Sequence, residues 1–164
     1  MRVSDYVILD IETTGLDYNN DEIIKLSALK TWNGEDDGRL RPIFFKPKNK
    51  LSEKVIAITG ITNEDLEKGK NVESYLETLN HFVRDNIPII SFNPKFELGF
   101  LEKYKDKLPN LFTAPIIDIR DLAKEVLPNI KNYNLKYLLY KLNIEPQKEE
   151  LLEIYNVYEE LKKR

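Results

Sequence analysis

Cysteine is absent from this sequence, and histidine is nearly absent. Without cysteine, a disulfide framework, a thiolate metal site and a cysteine nucleophile are all excluded. The single histidine, His81, lies in a segment whose apolar residues have helical spacing, and we interpret it as a helix-surface or core-edge residue. Any catalytic chemistry is therefore expected to use neither a thiol nor an imidazole.

Long apolar segments are also missing. No run approaches the roughly 18 residues that are needed to cross a bilayer. The first residues, MRVSDY, lack the apolar core of a signal peptide. These absences predict a cytoplasmic protein with no membrane partner.

An excess of basic residues is missing as well. The net charge is -3 and the pI is near 5.4, whereas a protein held on DNA by charge alone is normally basic. This argues against a non-specific duplex binder, but not against an enzyme that holds a strand end through metal ions. Two small lysine clusters are interpreted as solvated surface: Lys46, Lys48 and Lys50, and Lys131 with Lys136.

The composition is that of an ordinary globular protein. Hydrophobic residues make up 41% of the chain and charged residues 32%, which is a typical balance. A length of 164 residues suits a single domain, residues 1–164, with a hydrophobic core.

Apolar periodicity predicts both strands and helices. Strands are predicted at residues 5–12, 22–32, 39–46, 87–92 and 115–117, with a turn from Asn33 to Gly38. Helices are predicted at residues 52–57, 71–85, 94–104, 118–127, 132–142 and 147–162. ITGITNEDL is predicted to form a turn with a further short helix. The first three strands are joined tightly, which indicates an antiparallel meander, and later strands separated by helices indicate parallel pairing. The predicted fold class is α/β, with a mixed five-stranded sheet flanked by helices.

The first strand runs directly into two acids. In VILDIETTGLD, residues 7–17, an apolar run leads to Asp10 and Glu12, and Thr13-Thr14-Gly15 follows. Residues two apart on a strand share a face, so the two carboxylates would repel each other and lose hydration. A divalent metal between them would relieve that repulsion. The hydroxyls and the glycine suit close approach of a phosphate or a sugar.

Two other interpretations of this pair remain open. A D-x-E pair is a weak signal by itself, and it also fits a strand that simply runs out into solvent. Asp10-x-Glu12-x-Thr14 comes near the D-x-D-x-T motif of phosphatases with an aspartyl nucleophile. However, its second acid differs, and the predicted meander does not match those enzymes.

Successive segments of the chain resemble the motifs of one enzyme family. VILDIETTG resembles the first motif of the DnaQ-like, or DEDD, 3′–5′ exonucleases, and ITGITNEDL resembles their H-G-I-T segment. IISFNPKFELGFL resembles the second motif, and PIIDIRDLAKEVLP with YNLKYLLYKLNI resembles the approach to the third. The resemblance spans nearly the whole chain, and the chain is similar to the epsilon-type proofreading domains of DNA polymerase III.

This resemblance implies a ribonuclease H-like fold and a metal-dependent exonuclease that acts on nucleic-acid 3′ ends, with single-stranded DNA as the expected substrate. It also implies two divalent ions, Mg²⁺ or Mn²⁺, roughly 3.5–4 Å apart and held by carboxylates. By the motif match, Asp10 bridges both ions and Glu12 binds one. A polymerase or another nucleic-acid-processing protein is the expected partner.

The second motif departs from the family pattern at its acid. Glu97 stands where the family has aspartate, and it is expected to bind metal although its extra methylene displaces the carboxylate by over an ångström. An exposed acid on a helix beginning at Pro94 is the alternative interpretation. Asn93 matches the family's asparagine and is an expected substrate contact, whereas Phe92 replaces the usual histidine.

The third motif is the most altered. Its common form is H-x-x-x-x-D, in which the histidine is the general base. Aligning Leu151 with the family's leucine puts Lys148 at the histidine position and Glu153 at the aspartate position. Lys148 is thus the expected catalytic residue and Glu153 the expected metal ligand. Glu149 occupies the tyrosine position of a sister form, and Glu149 or Glu150 replaces Glu153 if the register differs by a turn.

The resemblance also assigns substrate contacts. Thr13-Thr14-Gly15 follows the first acids, and Leu16 and Ile61 match apolar residues that wedge against a terminal base in the family. Ile61 can equally belong to the core. Tyr133-Asn134 is interpreted as a helix start, with stacking on a base as the alternative.

Two functions therefore remain open. The first is a 3′–5′ exonuclease weakened by the missing general base, a loss that commonly costs about 10²–10⁴-fold in rate. The second is a degenerate exonuclease fold that binds nucleic-acid ends or a protein partner without cleavage. Retention of D-I-E-T-T-G favours the first function, and the several changes in the catalytic set favour the second.

Overall fold

The computed structural model describes residues 3–83 and 86–164, and a five-stranded sheet forms its centre. The strands are β1 (Tyr6–Thr13), β2 (Ile23–Trp32), β3 (Glu35–Phe44), β4 (Ile89–Ser91) and β5 (Ile116–Asp118). They lie in the order β3-β2-β1-β4-β5. β2 is antiparallel to both β1 and β3, whereas β4 is parallel to both β1 and β5. The predicted mixed sheet, a meander plus two parallel strands, is confirmed.

Helices cover both faces of this sheet. In the described part of the chain they are α1 (Glu53–Thr59), α2 (Leu76–Phe82), α3 (Pro94–Leu101), α4 (Pro109–Thr113), α5 (Ile119–Val126), α6 (Leu135–Leu142) and α7 (Glu150–Lys162). Side-chain caps define several of the starts: Ser52 begins α1, Asp118 begins α5 and Asn134 begins α6. Within the described ranges, no helix has the length and apolar character to cross a membrane.

The central strand β1 packs a different core on each face. Its odd-numbered residues from Val7 to Ile11 join a core with α2, α3 and α4. Tyr6 and Ile8 point the other way, into a core with α5, α6 and α7. Because side chains alternate along a strand, Asp10 and Glu12 continue this second face. The two acids therefore emerge on the face of the sheet that α7 covers.

The ITGITNEDL segment forms hydrogen-bonded turns after the end of α1. The turn predicted there is present, whereas the prediction of a further short helix is wrong. Gly60 ends α1 in the left-handed conformation, with φ 71°. Asp65 then accepts hydrogen bonds from the backbone N–H and the hydroxyl of Thr62, both at 2.7 Å. These local side-chain bonds satisfy the backbone in a turn and compete with helix formation.

Other element boundaries shift by a few residues. The turn before β3 is shorter than predicted, because Asn33 and Gly34 make it alone with φ 52° and 81°. The predicted helix at 71–85 is a 3₁₀ turn, Val72–Tyr75, followed by α2; residues 84 and 85 lie outside the described residues. α3 passes into a second 3₁₀ segment, Glu102–Lys107, and α4 was not predicted. α7 begins three residues later than predicted, which matters for the site.

Candidate active site

Carboxylates from three elements converge beside the end of β1. Asp10 and Glu12 come from β1, Glu97 lies in the first turn of α3, and Glu150 is the first residue of α7. The negative charges of Glu150, Glu12 and Glu97 all act on Asp10. Four acids from three separate segments of the sequence thus form one group, hereafter the carboxylate cluster.

The parallel connection from β4 to α3 positions Glu97. β4 lies next to β1, and α3 starts almost immediately after it, with Pro94 in its first turn. The fourth residue of such a helix projects from the first turn, close to the strand ends. Glu97 is consequently 5% exposed and acts on Asp10. The alternative interpretation of Glu97 as an exposed helix acid is wrong.

Asp10 is the central and most confined member of the cluster. It is 5% exposed, and burial raises its pKa well above the ordinary value. The neighbouring carboxylates raise the pKa further, whereas Lys25 on β2 lowers it. An ionised Asp10 is therefore unfavourable unless additional positive charge comes close.

Glu12 and Glu97 share this behaviour. Burial raises the pKa of each to about 7, and the charge of Glu150 contributes to both shifts. Lys25, which stands opposite Glu12 in the antiparallel register, lowers the pKa of Glu12. Near neutral pH these carboxylates hold protons that a cation would have to displace.

One oxygen of Glu97 is left without a partner. Hydrogen bonds from the Ser91 hydroxyl and from the backbone N–H of Glu97 itself act on its carboxylate and lower its pKa. Oε2, however, is buried and has no hydrogen-bond partner. A buried acceptor in this state costs about 1–3 kcal/mol, so this atom marks where the site lacks a positive group.

The donor set fits a hard divalent cation. Across residues 3–83 and 86–164, no three acidic or histidine side chains already have the spacing of a metal centre. The cluster nonetheless offers only anionic oxygen ligands, which Mg²⁺ and Mn²⁺ prefer. A cation would satisfy Glu97 Oε2 and remove the repulsion around Asp10. The residues present therefore fit such an ion.

The geometry favours the alternative register of the third motif. Glu150 acts on Asp10, Glu12 and Glu97, although its side chain is exposed. Glu153, the expected metal ligand, instead accepts a hydrogen bond from the backbone N–H of Gln147 at 3.0 Å.

Lys148 is exposed in the segment before α7. Because α7 begins at Glu150, the first helical residue faces β1. Glu153, three residues further, reaches back to the preceding loop. The start of α7 thus decides which acid joins the carboxylate cluster.

Thr13-Thr14-Gly15 begins a loop that closes on Asp21. The Thr14 hydroxyl donates to Asp21 Oδ1 and accepts from the backbone N–H of Glu22, both at 2.9 Å, and the Thr13 hydroxyl donates to the Gly15 carbonyl at 2.5 Å. A Cβ on Gly15 would lie 2.3 Å from Asp21 Oδ2. The close approach that requires this glycine is therefore to Asp21, and both hydroxyls are engaged within the loop.

The remaining expected substrate contacts lie in different environments. Leu16 is 83% exposed, so its side chain is available to a ligand, whereas Ile61 is 6% exposed in a small core beneath α1. Ile61 is thus a core residue. Asn93 Oδ1 accepts a hydrogen bond from Arg120 Nη2 at 2.7 Å, and the Arg120 guanidinium lies 5.8 Å from the centre of the Phe92 ring.

Sequence reasoning did not identify three contributors to this region: Lys25, Ser91 and Arg120. Pairing β1 with β2 in register would have found Lys25, because it stands opposite Glu12. Ser91 and Arg120 carry no comparable signal, since their roles depend on how α3 and α5 fold back onto the strand ends.

The sequence of the chain that forms this carboxylate cluster is similar to sequences of known proteins. A family model described as exonuclease matches residues 7–149. The PolC-type DNA polymerase III of Halalkalibacterium halodurans is 35% identical over 144 residues, and that of Thermotoga maritima is 37% identical over 142 residues. The chain belongs to the exonuclease family. These matches cover 87% and 86% of this exonuclease-family chain but 10% of each polymerase, so it spans about a tenth of their length.

Solved structures share the fold of this exonuclease-family chain. Product-bound exonuclease I matches it with a TM-score of 0.83 and 16% identity, over 99% of this chain and 44% of that one. Exonuclease X in complex with 5′-overhanging duplex DNA matches with a TM-score of 0.68 and 18% identity, over 96% and 89%. The predicted DnaQ-like exonuclease family and the predicted ribonuclease H-like fold are confirmed.

Proposed function

We propose that this domain hydrolyses nucleic acid from its 3′ end, using Asp10, Glu12, Glu97 and Glu150. One observation carries the proposal: four carboxylates from β1, α3 and α7 converge where Asp10 is 5% exposed. Gathering buried like charges costs free energy, and a structural core gains nothing from it. A site that recruits cations for phosphodiester chemistry does gain from it.

The proposed cofactors are two divalent ions, Mg²⁺ or Mn²⁺, which the four carboxylates would hold. When bound, such ions supply the positive charge that the attacking water and the departing 3′ oxygen need. Exonucleases of this family generally use divalent metals, and one exonuclease I structure is described as a zinc-bound form in complex with single-stranded DNA. The oxygen-only donor set here favours Mg²⁺ or Mn²⁺ over zinc.

The chain's other residues would orient the substrate. The loop closed by Asp21 carries Leu16 beside the end of β1, and the 83% exposed side chain suits contact with a terminal base. Single-stranded DNA is the proposed substrate, because an acidic domain has little attraction for an intact duplex. Thr13, Thr14 and Asn93 remain predicted substrate contacts.

Loss of the histidine lowers the expected rate. His81 belongs to α2, which packs on the opposite face of the sheet from α7. A carboxylate or solvent must then accept the proton of the attacking water. Lys148 is the residue that the motif alignment predicts for this role. We expect a rate about 10²–10⁴-fold below that of a histidine-containing site.

The test is digestion of a 5′-labelled single-stranded DNA oligonucleotide with Mg²⁺ or Mn²⁺. We expect a ladder that shortens from the 3′ end and that disappears with EDTA and with Asp10→Asn. An RNA oligonucleotide of the same sequence, digested in parallel, identifies the preferred sugar. An oligonucleotide that stays intact at saturating protein concentration would overturn the proposal.

A second candidate function is binding of nucleic-acid ends without cleavage. The observation that favours it is the exposed Lys148 at the position predicted for the general base. In that case the intact oligonucleotide should still shift the fluorescence anisotropy of a labelled 3′ end. A blunt or 3′-blocked oligonucleotide is the matched control for end recognition.

We also propose a polymerase or another nucleic-acid-processing protein as partner, a cytoplasmic location, and a single domain over residues 1–164. Support for the partner comes from relatives named as PolC-type DNA polymerases and from exonuclease I structures described as complexes with SSB. The test of the partner is co-purification of this chain with a polymerase from a cell lysate. Absence of any polymerase from the purified material would contradict this proposal.

A further inference from the structure

We propose that Tyr18 is a positioning residue for Leu16: its ring fixes the loop after β1 against α3, so that Leu16 is already in place when a strand end arrives. The inference rests on the proposed function, which assigns contact with the terminal base to Leu16. Leu16 is 83% exposed, and Tyr18, two residues later, is 43% exposed. Because this part of the loop lies outside the core, its position depends on contacts at the surface.

Three contacts join the Tyr18 side chain to α3. Its hydroxyl donates a hydrogen bond to the Lys95 carbonyl at 3.3 Å. Its ring meets the Phe100 ring edge to face, with 5.1 Å between the ring centres and 90° between the planes. The phenol end of the ring also occupies the space where a side chain on Gly99 would lie. These three interactions are hereafter the Tyr18 contact.

Gly99 allows the ring to lie directly against the backbone of α3. A Cβ at this position would be 2.5 Å from Tyr18 Cζ, which is too close for any side chain. Glycine inside a helix is less favourable than alanine, so α3 has a helix-weakening residue at the point where the ring approaches. The Phe100 ring beside it is 0% exposed, so the Tyr18 ring contacts a part of α3 that is anchored in the core.

The Tyr18 contact does something that the hydrogen bonds of Asp21 do not. Asp21 accepts hydrogen bonds from two residues of its own loop, and these bonds determine the shape of the loop. The Tyr18 contact connects that loop to α3, which also carries Glu97. It therefore sets the position of Leu16 relative to the carboxylate cluster.

The test compares KM and kcat for digestion of a 5′-labelled single-stranded DNA oligonucleotide by the full chain, together with Mn²⁺ affinity from calorimetry. We expect Tyr18→Ala to raise KM about 10-fold, because the substrate would then have to order the loop itself. Both kcat and Mn²⁺ affinity should stay within about 2-fold of wild type, since the contact acts on binding and not on the reacting groups. Tyr18→Phe keeps the ring and should change KM only slightly.

Two further changes show whether the effect passes through Leu16 and through the ring. In a Leu16→Ala background, Tyr18→Ala should raise KM no further, because the side chain that it positions is gone. Gly99→Ala should raise KM as Tyr18→Ala does, since its methyl group displaces the ring, and it should have no effect when added to Tyr18→Ala. If Tyr18→Ala does not fold, Gly99→Ala provides the same test, because alanine favours the helix.

Trp32→Ala is the matched control. Trp32 is also a half-exposed aromatic residue, 47% exposed, and it ends β2 on the side of the sheet away from the carboxylate cluster. Its removal should lower the melting temperature and leave KM unchanged. A higher KM in Trp32→Ala as well would mean that KM reports general loosening of the fold, which would overturn the role of Tyr18.

The outcomes separate this inference from the proposed function. Unchanged KM in folded Tyr18→Ala, with digestion still abolished by Asp10→Asn, overturns the role of Tyr18 and leaves the proposed function standing. An equal rise of KM in the wild-type and Leu16→Ala backgrounds also overturns it, because the effect would not pass through Leu16. Wild-type protein that leaves the oligonucleotide intact overturns both.

Discussion

Individual carboxylates of the cluster differ in how their charge is compensated. Glu12 has Lys25 opposite it in the β1–β2 register, and Glu97 has hydrogen bonds from Ser91 and from its own backbone. Asp10 has three carboxylates raising its pKa and Lys25 lowering it. Asp10 is therefore the residue whose ionisation depends most on an added cation, which is why Asp10→Asn is the decisive control for activity.

The register of the third motif leads to a residue-scale prediction. Glu150→Gln should lower Mn²⁺ affinity and nuclease activity by at least about 100-fold, because it removes a charge that acts directly on Asp10. Glu153→Gln should change both by only a few-fold. Its effect on the free energy of unfolding should be a loss below about 1 kcal/mol, since the glutamine amide oxygen can still accept from the Gln147 N–H but without the negative charge.

Metal titration and oligonucleotide digestion of the two variants, side by side, check this prediction. The pair is well matched, because both residues are glutamates in the first turn of α7. A larger loss of Mn²⁺ affinity in Glu153→Gln than in Glu150→Gln would restore the register that was aligned on Leu151.

At the scale of elements, the loop after β1 is held by packing as well as by hydrogen bonds. Asp21 accepts from the Thr14 hydroxyl and from the backbone N–H of Asp17, both at 2.9 Å. Its carboxylate also fills the space where a side chain on Gly15 would lie. This arrangement sets the path of the chain that carries Leu16 past Glu12.

Gly15→Ala should destabilise the protein by about 1–3 kcal/mol, because its methyl group would lie 2.3 Å from Asp21 Oδ2. Asp21→Ala opens that space, so adding Gly15→Ala to Asp21→Ala should cost much less than it costs alone. Denaturant unfolding of the two single variants and the double variant measures the coupling. Additive costs would mean that Asp21 is not what excludes a side chain at residue 15.

Element order was predictable from the sequence because apolar periodicity is a local signal. The run before Asp10 and the alternation in β2 identify the meander, and the helical spacing between β4 and β5 identifies the parallel part. The third motif was less predictable, because acids stand at residues 149, 150 and 153, around the start of α7. Which of them meets β1 depends on where α7 starts, and Glu149 as its first flanking residue makes no side-chain cap that the sequence would reveal.

At the scale of the whole molecule, the proposed function requires an acidic domain to hold a polyanion. A net charge of -3 provides no long-range attraction for nucleic acid, so affinity should be modest and sensitive to salt. Cations at the carboxylate cluster would supply local charge of the required sign. Under the proposed function, the binding of metal, of substrate and of protons would thereby be linked at one place.

This linkage predicts how stability depends on pH. In the metal-free protein the pKa of Glu97 is raised to about 7 from an ordinary value of 4.5, so the folded state binds this proton more tightly than the unfolded state. The stabilisation is fully present below pH 4.5 and is lost as the pH rises through about 7. For Glu97, which is 5% exposed, the loss is about 3 kcal/mol, and Glu12 changes in the same direction.

Chemical denaturation in EDTA at pH 5 and pH 8 measures this dependence. The wild-type protein should lose more stability between the two values than Glu97→Gln, which cannot ionise and should be the more stable of the two at pH 8. Glu102→Gln, which removes an exposed acid paired with Lys105, should keep the wild-type pH dependence. Saturating Mn²⁺ at pH 8 should stabilise the wild type far more than Glu97→Gln, because the ion replaces the lost protons. Equal pH dependence in wild type and Glu97→Gln would mean that Glu97 ionises in the folded protein as readily as in the unfolded chain, so the cluster would need no cation.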